Sequence, residues 1–289
     1  MFRKICKMSQ KDLKKFVADK LKATHDKVIV GDGYVFAQGD FPVLLVAHLD
    51  TVHKELPKFF IYDKDGDSLS SPQGIGGDDR CGVFMVLEVI KQFNCSVLFC
   101  EDEESGGIGA GKFIKTELAK QLEFNYMIEF DRKGSNDAVF YDCANDEFEE
   151  FITEEFYETA WGSFSDISIL APFFECAAVN LSCGYYNAHT TNEYVVLSEM
   201  EESIYQACKI LAKTTEKDSF AYVEGYYGTA WDDWGYGDRV YLIEWYDPKT
   251  KQDEWLEIEA VSKAEAIGKF CMEHPNIPYN SFYVTEYKY

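Results

Sequence analysis

The chain has 289 residues, 46% of them apolar and 27% charged, enough for one large core and a small second unit. Its net charge of -23 argues against nucleic acid or an anionic membrane surface as partner. No apolar run approaches the 18 or so residues that span a bilayer.

Taken in chain order, residues 9–23 carry apolar positions Leu13, Phe16, Val17 and Leu21 at helical spacing, with Ser9 placed as N-cap. Residues 28–38 and 59–70 alternate and contain Gly or Asp-Gly turns, the mark of antiparallel strands. Between them Val43–Ala47 reads as a buried strand. A helix is expected over 80–93, then a strand over 96–100, a helix over 109–121, and strands over 125–130 and 137–142. Helices at 145–158 and 163–171, a strand at 176–182 and a helix at 198–214 follow. Strands alternating with helices imply an α/β fold: a mixed, mostly parallel sheet flanked by helices. These elements place a first domain at residues 1–215. A Gly- and aromatic-rich connector is expected over 216–237. Residues 238–289 read as a small ββαβ appendage with its helix at 262–273 and its last strand at 282–288. Nine cysteines without a CxxC pair fit small core residues of a reducing cytosol. The first residues hold no apolar stretch of the secretory kind, so the expected location is cytoplasmic.

Chemistry concentrates where the apolar runs end. His48-Leu49-Asp50 follows Val43–Ala47, and a period of two puts His48 and Asp50 on one face. Asp78-Asp79-Arg80 follows Gly74-Ile75-Gly76-Gly77 and opens a helix, where acidic residues also serve as ordinary caps. Glu101–Glu104 is a run of four carboxylates after Ser96–Cys100, and such crowding drives one of them to bind a proton or a cation. Asp131 follows Tyr126–Phe130, and His189 closes the series beyond Ala177–Leu181. In open α/β sheets ligands bind at the carboxyl ends of strands. Two imidazoles and several carboxylates delivered there are the inventory of a hydrolytic zinc site with one or two ions.

As an ordered set, VLLVAHLDTV, GIGGDDRCG, CEDEESGG, IEFDR and NAHTTNEY resemble the co-catalytic di-zinc metallopeptidase clan, which includes the M20, M28 and M42 families. The resemblance covers about residues 10–215. It implies that His48 binds one ion and Asp50 orients it. Asp78 would bridge two ions, since Gly82 stands four residues after it. It further implies Glu103 as general base, Glu104 as ligand of the opposite ion, and Asp131 and His189 as the remaining ligands. The implied cofactors are two divalent ions, zinc first, with cobalt or manganese as alternatives. Asp131 and His189 are only 58 positions apart, which leaves no room for the inserted lid domain of M20 enzymes and points to the single-domain M28 layout.

The expected reaction is exopeptidase hydrolysis of small peptides. The alternatives are deacylation of N-acyl amino acids, or an inactive metal-binding scaffold whose tail recruits a partner. Arg80 and Arg132 are candidates to clamp a substrate carboxylate. Tyr186 and Asn187 are further candidates for substrate contact, with Tyr185, Thr190, Asn192 and Glu193 beside them. The aromatic group Tyr226, Tyr227, Trp231, Trp234 and Tyr236 reads as a packing seam or a cover for the site. No Gly-x-Ser-x-Gly elbow supports serine hydrolysis.

Overall fold

The apolar runs of the sequence become neighbouring strands in the computed structural model. It describes residues 1–154, 156–225, 239–247, 252–260, 270, 274 and 282–287. The chain begins with α1 (Phe2–Cys6) and α2 (Gln10–Leu21), the latter capped by Ser9, whose hydroxyl accepts the Asp12 N–H. Strands β1 (Lys27–Gly31) and β2 (Tyr34–Gln38) form a hairpin, followed by β3 (Phe41–His48). Short β4 (Ile61–Tyr62) and β5 (Ser68–Ser70) precede α3 (Gly77–Val89). Then come β6 (Cys95–Cys100), α4 (Ile108–Phe113), β7 (Tyr126–Arg132), β8 (Asp137–Val139), α5 (Asp146–Thr153) and β9 (Glu158–Thr159). The unit closes with α6 (Ile167–Phe174), β10 (Ala178–Ser182), β11 (Tyr185–Tyr186), β12 (Tyr194–Val196) and α7 (Leu197–Lys213).

Among the described residues the main sheet runs β1-β2-β6-β3-β7-β10-β8-β9. Its centre, β6-β3-β7-β10, is parallel, with Val46 paired to both Leu98 and Glu129 and Asn180 paired to Glu129. Side chains of these strands alternate between two cores. Val43, Leu45, Ala47, Val97, Phe99, Ile128 and Phe130 pack on the face covered by α2, α3 and α7. Leu44, Val46, Leu98, Cys100 and Met127 pack on the face covered by α4 and α6. Both faces are dry, which is why the runs are continuously apolar rather than alternating.

Several boundaries differ from the sequence expectation for local reasons. The helix expected over 109–121 ends at Phe113, because Thr116 donates its hydroxyl to the Phe113 carbonyl and accepts the Ala119 N–H, leaving only a 3-10 turn at Ala119–Gln121. The strand expected over 137–142 stops at Val139, ahead of Tyr141 with its positive φ of 50°. The helix expected over 163–171 runs from Ile167 to Phe174, which frees residues 163–166 as a loop. A second sheet, β11-β12-β5-β4, was not expected. It forms because the 59–70 hairpin pairs with β12 (Leu69 with Val195) rather than with the main sheet.

The chain divides into units Met1–Gly225 and Tyr226–Tyr289. In the second, β13 (Arg239–Asp247), β14 (Gln252–Ala260) and β15 (Phe282–Tyr287) make an antiparallel sheet in the order β14-β13-β15. Tyr241, Ile243, Ile258 and Phe270 form its core. The expected helix 262–273, apart from Phe270, and the aromatic group 226–236 lie outside the described residues.

Candidate active site

The shared register of the central strands brings their C-terminal ends to one edge. His48 ends β3 opposite Cys100 at the end of β6, and Asp131 lies near the end of the adjacent β7. Beyond β6 the chain turns through Asp102, at φ 60°, into a 3-10 turn carrying Glu103 and Glu104. That turn is fastened by Asp50, which accepts the Glu103 N–H on Oδ1 and the Glu104 N–H on Oδ2, each at 3.1 Å. The same Oδ1 lies 3.1 Å from His48 Nδ1. An ionised carboxylate only accepts, so Nδ1 carries the proton and Nε2 is left facing the cleft.

Asp78 arrives from the other side of the sheet edge. The peptide between Asp78 and Asp79 is cis, and both residues depart from helical geometry before α3 settles into its regular turns. Gly82 lets α3 lie directly on β7: a Cβ there would come within 1.8 Å of the Phe130 carbonyl oxygen. The two acids then diverge. Asp78 presents Oδ1 to His48 Nε2 at 3.0 Å and Oδ2 to His189 Nε2 at 3.1 Å. Asp79 is fully buried and spends its oxygens on the N–H groups of His48 and Gly82.

His189 comes from the loop between β11 and β12, at φ 64°. Its Nε2 is also 3.0 Å from Glu104 Oε1, a buried oxygen without an aligned hydrogen bond. His48, Asp78 and Asp131 offer ligand atoms within 4.8 Å of one another, and so do Asp78, Glu104 and His189; His48, Glu103 and Glu104 make a third such group. His48 Nε2 is 3.5 Å from Asp131 Oδ1. Asp78, Glu103, Glu104, Asp131 and His189 line a cleft of about 360 Å³, with His48 buried directly behind Asp78.

The charges in the cleft are poorly balanced without a cation. Burial, reinforced by Asp131, Asp166 and Glu104, pushes the Glu103 carboxyl up to about 8. Burial and Asp78 raise Glu104 to about 7, against the opposing pull of His48 and His189. His189 is held up to about 9 by its hydrogen bond to Asp78, despite partial burial. For His48 burial opposes the charged ring, yet Asp131, Asp50 and Asp78 outweigh it and keep the imidazole protonated well above its usual range. Asp78 shows the converse: burial is overcome by the two imidazoles, and its carboxyl sits well below the usual range. Imidazole nitrogens and carboxylates converging on common points suit divalent cations with a preference for N and O donors.

Other residues fall differently from the sequence expectation. Arg80 does not face the cleft. It is 1% exposed, and its guanidinium donates to the carbonyls of Leu49, Asp50 and Met8, which leaves no face for a substrate carboxylate. Arg132 does line the cleft, with Nε and Nη2 held on Asp137 Oδ2 at 3.1 and 3.0 Å. Tyr186 and Asn187 line an adjoining depression that shares only Lys133 and Ala188 with the cleft. Neither tyrosine is free to face an oxyanion: Tyr185 donates to the Asp131 carbonyl at 3.1 Å, and Tyr186 to Glu199 Oε2 at 2.6 Å.

The structure also brings in groups that sequence reasoning passed over. Phe164 and Tyr141, on segments expected to be regular, line the cleft together with Gly162. Glu129, fully buried inside β7, accepts the Ser165 hydroxyl beneath Asp131, with buried Asp166 next in the chain. A carboxylate within the apolar run Tyr126–Phe130 was the available signal, since charge in a dry strand needs a partner.

The sequence model of peptidase family M28 matches residues 33–174, the span from β2 to the end of α6. No curated protein sequence matches the chain. Solved structures with the same fold include the aminopeptidase PepT of Bacillus cereus, at 13% identity and a TM-score of 0.61, covering 73% of this chain and 97% of that one. A tripeptidase of Staphylococcus aureus aligns at 14% identity and a TM-score of 0.58, over 73% of this chain and 95% of its own. A zinc-dependent exopeptidase of Parabacteroides distasonis aligns at 14% identity and a TM-score of 0.51, over 71% and 90%. At such identities the structural likeness speaks for the fold, while the family match speaks for the chemistry. From Asp131 to His189 the chain spends its residues on β8, α5, β9, α6, β10 and β11, with no inserted lid. The chain is a hydrolytic metallopeptidase whose first unit has an M28-like layout without an inserted lid domain.

Proposed function

We propose that this metallopeptidase is a two-metal exopeptidase of the aminopeptidase kind, acting on short peptides. The observation that carries the reading is Asp78: one carboxylate, placed with an oxygen toward each of two imidazoles, belongs to two separate ligand groups. His48 and Asp131 would hold one ion with Asp78, and Glu104 and His189 the other. Zinc is the proposed ion, and cobalt or manganese accept the same donors. The zinc-dependent exopeptidase that shares the fold supports this choice of ion, and it, the aminopeptidase and the tripeptidase support the choice of reaction.

When bound, the ions supply the Lewis acidity that polarises the scissile carbonyl and acidifies water. The protein's own groups do the rest. Asp50 keeps His48 in the tautomer whose Nε2 faces the cleft and also anchors the Glu103–Glu104 turn. Glu103 takes the proton of the attacking water and returns it to the leaving amine. Its carboxyl, raised to about 8 by burial and neighbouring acids, is returned toward the basic form once cations replace that negative field. Arg132, fixed on Asp137 at the cleft wall, would meet a substrate carboxylate.

The test is metal content measured with turnover on free-amine peptides and on N-acyl amino acids. Peptide hydrolysis restored by zinc, cobalt or manganese is expected. Absence of bound metal together with no turnover under any added ion overturns the reading, and turnover confined to N-acyl amino acids makes the enzyme a deacylase.

A further inference from the structure

We infer that Glu193 is a positioning residue: its buried carboxylate grips the Gly76–Asp78 turn and so aims the Asp78 carboxylate at both imidazoles. The inference rests on the reading of Asp78 as the ligand shared by two ions.

Glu193 is fully buried and does not line the cleft. A carboxylate taken out of water persists only when its oxygens are paired, and here they are. Oε2 accepts the Gly76 N–H at 2.7 Å and lies 2.7 Å from His53 Nε2. Oε1 accepts the Asp78 N–H at 3.0 Å. The turn it grips is irregular, with Gly76 at φ 68° and Asp78 at ψ 102°, so helix bonds do not fix its direction. Asp78 is thus held from two sides. Its N–H is tied to Glu193 beneath the cleft, and its carboxylate faces His48 and His189 within it.

The loop between β11 and β12 supplies both His189 and Glu193, only four residues apart, with the Glu193 N–H bonded back to the Thr190 carbonyl. One segment therefore contributes an imidazole to the cleft and the clamp for the carboxylate that imidazole meets. The space around the clamp is closed. A Cβ at Gly77 would meet Glu193 Oε1 at 3.3 Å and Tyr185 Cβ at 2.8 Å, and one at Gly74 would strike the His53 ring at 2.1 Å. A role confined to holding the loop together would change stability and leave the folded protein's affinity for metal untouched. A clamp on Asp78 changes that affinity, because partners behind a metal ligand typically carry about 10- to 100-fold of it.

The experiment uses the full chain. Hydrogen exchange over residues 74–80 is measured without metal, and zinc affinity is measured by competition with a chromophoric chelator. Glu193→Gln keeps the shape but turns an amide NH2 toward N–H donors. It is expected to speed exchange in that segment and to weaken zinc binding about 10- to 100-fold. His53→Ala is expected to do the same more weakly, and His53→Gln, which keeps an N–H donor, to restore affinity. A folded Glu193→Gln protein with zinc affinity within twofold of the unaltered chain overturns the inference. If Glu193→Gln does not fold, unchanged affinity in His53→Ala overturns it instead. Asp78→Asn is the control: unaltered zinc binding in that variant removes the reading of Asp78, and the clamp with it, whereas its loss alongside normal binding in the Glu193 and His53 variants removes the clamp alone.

Discussion

The two halves of the cleft are built in different ways. His48 and Asp131 ride on parallel strands, with His48 fully buried and its backbone N–H held by Asp79. Glu104 and His189 ride on a 3-10 turn and a hairpin loop, and the His189 side chain is 53% exposed. Asp78 joins them from an irregular turn. The strand-borne half is thus part of the core, where geometry follows from sheet register. The loop-borne half owes its geometry to a few side-chain clamps, Asp50 behind Glu104 and Glu193 behind Asp78. Catalytic sites generally combine a rigid scaffold with loops that carry function, and here the division runs through the middle of one cleft.

The largest effect is expected where neither half alone suffices. Glu103→Gln should lower kcat about 10²- to 10⁴-fold while metal stays bound, read by turnover alongside metal analysis. Retained turnover breaks the assignment of the base.

The comparison itself is tested by His48→Ala against His189→Ala, with urea unfolding of the metal-free proteins. Both should lose metal. Removing His48 leaves Asp50 and Asp78 oxygens buried and short of a partner, at about 1–3 kcal/mol each, whereas the His189 ring stands half in water, so its ion pairs with Asp78 and Glu104 are screened by solvent and their loss should cost about 1 kcal/mol or less. Equal destabilisation would erase the distinction between strand and loop. Arg80→Met should behave like a core lesion, since the Leu49, Asp50 and Met8 carbonyls lose a shared donor at about 1–3 kcal/mol, with folded protein keeping its KM. A raised KM would restore Arg80 as a substrate contact.

The smallest effect concerns pH. In the metal-free protein His189 titrates near 9, above its ordinary 6.5, because Asp78 holds its proton. Its ion pairs therefore contribute stability that is complete below about 6.5 and is lost as pH rises through about 9. Metal binding has the opposite sign, since a ligand imidazole must be neutral. The His189 proton alone should make zinc affinity rise by up to about tenfold per pH unit between 7 and 9, His48 adding to the slope, and binding at pH 7 should release protons, measurable by calorimetry in buffers of different ionisation enthalpy. Affinity independent of pH would show that His189 is not displaced from its proton.

Legibility followed the same division. The runs Val43–Ala47, Ser96–Cys100 and Tyr126–Phe130 announced parallel strands, and parallel strands with a common register necessarily deliver their next residues to one edge. His48, Asp131 and the acids after Cys100 were therefore visible as neighbours. Asp78 was visible through its spacing to Gly82, whose need for close backbone approach is met by the Phe130 carbonyl. The direction of Arg80 was not legible, because standing two residues after Asp78 says nothing of where the start of α3 turns its side chain, which is into the core. Glu193 stood beside His189 in the sequence, yet its partners His53, Gly76 and Asp78 are more than 110 residues away. Loop 163–166 was hidden because residues 163–171 read as one helix, whereas the helix begins only at Ile167.

Hydrophobic periodicity and the chemistry of strand ends, both local properties of the chain, were enough to determine an α/β sheet and the donor types gathered at its rim. Which oxygen of which carboxylate meets which imidazole, which arginine is spent on the backbone, and what holds the Asp78 turn were decided only by the tertiary structure. The reason is physical: buried polar groups must find partners wherever the packed chain happens to place them, and those partners lie far apart in sequence.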